Sequence, residues 1–297
     1  MTLAAVFPGQ GSQYLSMGLE LVDRYPEVID IFAVAEDVTD LPLSELVTDG
    51  PKELLDETIN AQPAIFTVNY LYWRILKQMD LQPDYVAGHS LGELSACLAA
   101  GVFSFEEGLR IVKRRAELMS RAALETGGGM MAVLGLDDAK VAEIAGAVGL
   151  QPANYNCPGQ VVVAGPNRNL ERGGDAFKSA GARKVVLLAV SGAFHSSAMA
   201  MPARLFGDWL QSVHLDDPQI PIISNATAEP LLWADDVKAE LAAQLVSPVR
   251  WQACIERLAQ RGVDTFIEVG PGRVLGGLIK RILPEAKVEH VADRLNV

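Results

Sequence analysis

A chain of 297 residues, 49% hydrophobic and 21% charged, has the composition of a core-forming globular protein, which excludes disordered and fibrous classes. Its formal net charge of −12 repels phosphate backbones and anionic lipid surfaces, so neither nucleic acid nor a membrane is expected as a partner. Apolar runs such as residues 161–164 are short and interrupted, well below the roughly 20 apolar residues that a membrane span needs.

Residues 3–7 read as a short buried strand, which Pro8-Gly9-Gln10-Gly11-Ser12-Gln13 is too glycine-rich to continue. Met1 leads directly into this strand with no basic or long apolar leader, so a cytoplasmic location is expected. Apolar residues recur at helical spacing over 62–78; residues 85–87 form an apolar strand running into Gly88; residues 94–100 resume a helical pattern. A further helix is predicted over 105–123, where Leu109, Val112, Leu118 and Met119 form one apolar stripe and Arg114 and Arg115 fall near the middle. Gly127-Gly128-Gly129 breaks the composition and marks a boundary. Beyond it the expected order is strand (130–134), helix (137–147), strands (153–155 and 161–164), helix (169–180) and strand (184–190), the order of a split βαβ or ferredoxin-like unit. Strand patterning resumes at 221–224 and 264–268, so the ferredoxin-like subdomain (126–189) is expected as an insertion in a larger α/β catalytic domain made of residues 1–125 and 190–297.

Gly88-His89-Ser90-Leu91-Gly92 matches G-x-S-x-G, the strand-to-helix turn that lifts a serine to the head of a helix, and the apolar segments on either side supply the context. The core is therefore expected to be α/β-hydrolase-like. The amide of Leu91 would point into the same space as the Ser90 hydroxyl, supplying half of an oxyanion hole. The competing structural reading is that Ser90 caps the helix. A serine nucleophile needs a base, and there are four histidines. His89 sits inside the turn, with its side chain expected to point away from that of Ser90. His214 and His290 have polar and charged neighbours and read as surface residues, whereas His195 follows an apolar strand through Ser191-Gly192-Ala193-Phe194, a strand-end loop suited to a catalytic group. Cys97, Cys157 and Cys254 are far apart and read as buried thiols, without the spacing of a disulfide framework or zinc site; no metal or cofactor is expected.

Phe7-Pro8-Gly9-Gln10-Gly11-Ser12-Gln13, Gly88-His89-Ser90-Leu91-Gly92-Glu93, Arg115 with Leu118-Met119, Gly192-Ala193-Phe194-His195-Ser196 and Glu268-Val269-Gly270-Pro271-Gly272 together resemble the ordered signature of malonyl-CoA:acyl-carrier-protein transacylases, over essentially the whole chain. The length is similar to that of the discrete bacterial enzyme. The resemblance implies Ser90 as nucleophile, His195 as base, and the amides of Gln10 and Leu91 as oxyanion hole. The main-chain carbonyl of Gln244 would orient the base, and Arg115 would hold the malonyl carboxylate. Phe194 resembles the malonyl-selecting form, in which a ring crowds any substituent on the α-carbon. Two departures are present: Ala116 follows Arg115 where glycine is usual, so Arg114 competes for the role, and the turn reads Gly-Ala-Phe-His where some bacterial members have Val-Pro-Ser-His. Malonyl-CoA and an acyl carrier protein acting in trans are the implied partners, for fatty-acid or polyketide synthesis. Both partners are acidic, so a local basic surface is required, with Lys178, Arg183, Lys184, Arg273, Lys280 and Arg281 as candidates. An acyl hydrolase of carrier proteins on the same scaffold is the alternative. A serine esterase would instead need a carboxylate among Asp137, Asp138 and Asp175.

Overall fold

The computed structural model describes residues 2–22, 24–79 and 81–295. Along them run the strands β1 (Thr2–Phe7), β2 (Tyr85–Gly88), β3 (Gly129–Leu134), β4 (Gln151–Cys157), β5 (Gln160–Gly165), β6 (Lys184–Leu187), β7 (Ile222–Ile223), β8 (Pro230–Leu231), β9 (Val263–Glu268) and β10 (Lys287–His290). One sheet has the order β10-β9-β1-β2-β7-β8, parallel except for β8, and a second has the antiparallel order β4-β5-β3-β6. This is the α/β class expected from the sequence.

The central strand β1 is apolar throughout because both of its faces are covered. Ala4 and Val6 join one core, while Leu3, Ala5 and Phe7 join the other, as a parallel strand between two helical layers requires. In the second sheet Val141 and Ala145 of the helix Asp138–Val148, and Leu170 and Phe177 of the helix Asn167–Ser179, pack on Met131, Val133, Val161 and Val163. Their βαββαβ order is ferredoxin-like. Two of the expected strands differ most in extent. β4 is longer than 153–155, and β6 ends at Leu187 instead of continuing to 190. Beyond Leu187 one more bond reaches β3, from Leu188 N–H to Met130 O, and the chain then turns, with Val190 N–H donating to Leu188 O; residues 188–190 line a cleft. Among the described residues no helix is long and apolar enough to cross a membrane.

The carboxyl ends of β1, β2, β7 and β9 open on one edge of the larger sheet, where a parallel α/β sheet places its ligands. Two glycines let the loops there close on each other. A Cβ at Gly92 would stand 2.0 Å from Phe7 O, and one at Gly9 would stand 2.2 Å from His89 O. The loop after β1 is thereby pressed against the turn after β2, backbone to backbone. Gly92→Ala is expected to cost about 1–3 kcal/mol or more by overpacking, read as a lowered thermal midpoint; an unchanged midpoint would mean that the two loops can separate freely.

Candidate active site

Ser90 lies between β2 and the helix Leu91–Ala99 with φ 53° and ψ −109°, a strained conformation for a residue with a side chain. Its hydroxyl makes no capping bond to that helix, which removes the capping reading, and Oγ instead lies 2.7 Å from His195 Nε2. The turn is held from below by Asn225, whose Oδ1 accepts the Ser90 N–H at 2.8 Å while its Nδ2 donates to Gly88 O at 2.7 Å.

His195 is buried, and its Nδ1 lies 2.8 Å from Gln244 O. A carbonyl can only accept, so Nδ1 carries the proton and the Nε2 lone pair faces the Ser90 hydroxyl, the tautomer a general base needs. Burial, and next the charge of Arg115, push the imidazole down to about 3, against the hydrogen bond to Gln244 O. His195 is therefore neutral at physiological pH. No carboxylate takes the place of the carbonyl: Asp137 caps the helix Asp138–Val148 and Asp175 pairs with Lys178, both in the second sheet's layer.

Arg115 is buried in the helix Phe105–Thr126, on the face that carries Leu109, Val112, Leu118 and Met119. Its NH1 donates to Gln62 Oε1 at 2.6 Å, and its NH2 to Gln244 Oε1 at 2.8 Å and Ser90 Oγ at 3.3 Å. All these partners are neutral, and Nε is buried with no partner. Burial draws the guanidinium down to about 10, still charged at neutral pH, with Glu93 opposing the shift. Arg114 points elsewhere, to Glu117 at 3.6 Å on the half-exposed side. Leu91 is the first residue of its helix, so its N–H carries the partial positive charge of a helix start. Gln10 stands in the loop pressed onto the Ser90 turn, its side chain tied to Thr58 Oγ1 at 3.2 Å. Phe194 is buried with its ring against Gly192, on the wall of a cleft of about 370 Å³ that Gln10, Ser90, Leu91, Arg115 and His195 also line.

A family model described as acyl transferase domain matches residues 5–295. The chain belongs to the acyl transferase domain family. It is 39% identical to the malonyl CoA-acyl carrier protein transacylase of Bacillus subtilis, over 98% of this chain and 93% of that protein. The crystal structure of the malonyl-CoA:acyl carrier protein transacylase of Xanthomonas oryzae superposes with a TM-score of 0.95 at 38% identity, covering 98% of this chain and 96% of that one. A type II PKS acyl-carrier protein in complex with its malonyl-transacylase gives a TM-score of 0.94 at 38% identity, covering 98% and 95%.

Within this acyl transferase the other histidines are accounted for. His89 is half-buried, its pKa lowered by desolvation, and it donates from Nε2 to Asn156 Oδ1 at 2.8 Å. His214 is exposed, as its polar neighbours suggest. His290 is not a surface residue: it is buried, with Nε2 3.0 Å from Gly270 O, because the end of β10 lies beneath the loop that follows β9. Glu268, also in that region, caps the helix Val274–Ile282 by accepting the N–H groups of Leu275 and Gly276 at 2.9 and 2.8 Å. The three thiols are buried. Sequence reading misses Gln62, Asn225 and the link from Gln244's side chain to Arg115. Gln62 carries no signal beyond opening an apolar helix, and Asn225 none beyond following a strand.

Proposed function

We propose that this chain transfers a malonyl group from malonyl-CoA to the phosphopantetheine thiol of an acyl carrier protein, for fatty-acid or polyketide synthesis, through an acyl-serine formed on Ser90. The observation that carries the reading is Arg115: a buried, charged guanidinium with neutral partners, 3.3 Å from the Ser90 hydroxyl. Such a group favours an acyl chain ending in an anion, and a planar fork suits a carboxylate.

In the first half-reaction Ser90 Oγ attacks the thioester carbonyl as His195 Nε2 takes its proton. The tetrahedral oxyanion is met by the amides of Gln10 and Leu91; the C–S bond breaks, and the coenzyme A sulfur leaves with the proton from His195. In the second, His195 takes the proton of the pantetheine thiol, the sulfur attacks the Ser90 ester, and the serine oxygen leaves and is reprotonated. Gln244 O keeps the imidazole in the tautomer that both halves need. Phe194 crowds the α-carbon and disfavours branched acyl groups. Residues 126–189 act as a subdomain inserted between 1–125 and 190–297, walling the cleft with residues of β4 and β5, and the enzyme works in the cytoplasm.

Brief exposure to malonyl-, methylmalonyl- and acetyl-CoA, followed by intact-protein mass spectrometry, tests this reading. One malonyl group should add, and should leave on addition of a phosphopantetheinylated carrier protein. Loss of the adduct to water at the same rate without the carrier would instead identify an acyl hydrolase.

The carrier's docking surface follows from where the basic residues lie. Arg281 donates to Gln160 Oε1 at 2.6 Å and to Pro158 O at 3.0 Å, and Gln160 lines the cleft. Lys184 pairs with Leu134 at the end of β6 away from the cleft-lining residues 188–190, and Arg273 is engaged with Asp293 at 2.5 Å. Reversing Lys280 and Arg281 to Glu should raise KM for the carrier about three- to tenfold and flatten its salt dependence, as for exposed charge pairs. Reversing Lys178 and Lys184 should not. Equal damage to self-acylation by malonyl-CoA would assign Lys280 and Arg281 to the cleft itself.

A further inference from the structure

A buried carboxyl stands directly behind the residue whose main chain orients the base. Glu93, in the helix Leu91–Ala99, is 0% exposed. Its Oε1 accepts the Asn225 N–H at 2.7 Å, and its Oε2 accepts Gln244 Nε2 at 2.5 Å. Those two residues hold the rest of the site. Asn225 fixes the backbone entering Ser90's turn, at Gly88 O and Ser90 N–H. Gln244 holds His195 through its main-chain oxygen and Arg115 through its side-chain oxygen.

An amide has donors at one end and an acceptor at the other. Gln244 Nε2 is taken up by Glu93 and by Ser90 O at 2.9 Å, so Oε1 must face Arg115. The buried Glu240, which accepts the Ala226 N–H at 2.9 Å, is a second carboxyl whose charge acts on Glu93. Burial, and for Glu93 next the neighbouring Glu240, push both carboxyl groups above the usual carboxylate range. Keeping a carboxyl group in a dry interior is costly unless its oxygens are bonded, and here Glu93's bonds are spent on the residues that carry the site.

We propose that Glu93 is a positioning residue for malonyl transfer: by fixing Asn225 and the amide orientation of Gln244, it aligns Ser90, His195 and Arg115 together and sets the preference for malonyl over acetyl groups. It touches no substrate and acts through Gln244 and Asn225. The proposal rests on the function given above.

Glu93→Gln tests it. The new amide must turn its own N–H groups toward either Asn225 N–H or Gln244 Nε2, donor against donor. If Gln244 turns over to relieve this, it presents N–H groups to Arg115. Self-malonylation per folded molecule should fall about 10- to 100-fold, the range for bonds to charged groups, and the malonyl-to-acetyl ratio of kcat/KM should fall with it. Glu240→Gln keeps an oxygen for the Ala226 N–H and leaves Glu93's bonds to Asn225 and Gln244 in place, so its rate and ratio should stay within about twofold of the parent. Thermal midpoints and circular dichroism report the folded fraction of each variant. A wild-type rate and ratio in Glu93→Gln would overturn the proposal. So would a parallel loss of stability and rate in both variants with the ratio unchanged, since that marks a carboxyl pair serving the fold alone. Should Glu93→Gln fail to fold, Gln244→Met keeps the carbonyl for His195 while removing the amide, and must lower the ratio by itself; an unchanged ratio there sinks the idea equally. Absence of any malonyl adduct on the unaltered protein would instead count against the function, and is read separately.

Discussion

Ser90→Ala should give a folded protein that takes up no malonyl group at all. The hydroxyl contacts His195 and Arg115, while His195 stays anchored on Gln244 O and Arg115 on Gln62 and Gln244, so its removal leaves the surroundings in place. No thiol can substitute, because burial pushes Cys97, Cys157 and Cys254 above the usual thiol range. Transfer to the carrier should drop by on the order of 10⁴-fold or more, and an adduct persisting in the alanine variant, or mapping to Cys97, would refute the acyl-serine. His195→Ala keeps the nucleophile without its base and should slow acylation about 10²- to 10⁴-fold. The pH profile is a further signature. kcat/KM reports the free enzyme, whose His195 is held down to about 3 by burial and then by Arg115. A base with a lowered pKa stays neutral as pH falls, so kcat/KM should remain level through pH 6.5, where an ordinary histidine would lose activity. A fall centred there would point to a different base or a solvated one.

Arg115→Ala should convert a malonyl-selective enzyme into one with little preference. The guanidinium is buried and its NH2 is 3.3 Å from Ser90 Oγ, so on the proposed function the far carboxylate of a malonyl group would meet it while an acetyl group would leave the charge without an anionic partner. Breaking a buried charge pair costs roughly 3–5 kcal/mol, equivalent to a loss of about 10²- to 10⁴-fold in kcat/KM for malonyl-CoA. Acetyl-CoA should lose nothing comparable. Arg115→Lys should restore little, since an ammonium cannot reproduce the planar fork held by Gln62 and Gln244. Arg114→Ala is the control, because Arg114 lies at the half-exposed side with Glu117. A malonyl-to-acetyl ratio unchanged by Arg115→Ala would remove the arginine from the substrate site.

Ser90 is legible in the sequence because all that makes it unusual is local: an apolar strand, a glycine-bounded turn and a helix within a dozen residues. The βαββαβ order was equally plain, since each element carries its own periodicity, although β6 ended earlier than its apolar run because the chain turns over residues 188–190, which line the cleft. His290 shows where local reading fails. Its charged neighbours suggested a surface position, but burial depends on what lies above the strand end, and Gly270 lies there.

Chain order, α/β class and the Ser90 turn were determined by sequence, because strand and helix periodicity and tight-turn chemistry act over neighbouring residues. The tertiary structure alone decided which side of its helix Arg115 faces, that Gln244's side chain meets Arg115, and that Asn225 and Glu93 underlie the site. These contacts join residues 25 to 154 positions apart. Their partners are chosen by the closing of the loops at the carboxyl edge of the sheet, where every buried donor and acceptor must find a match, and no pattern of adjacent residues records that requirement.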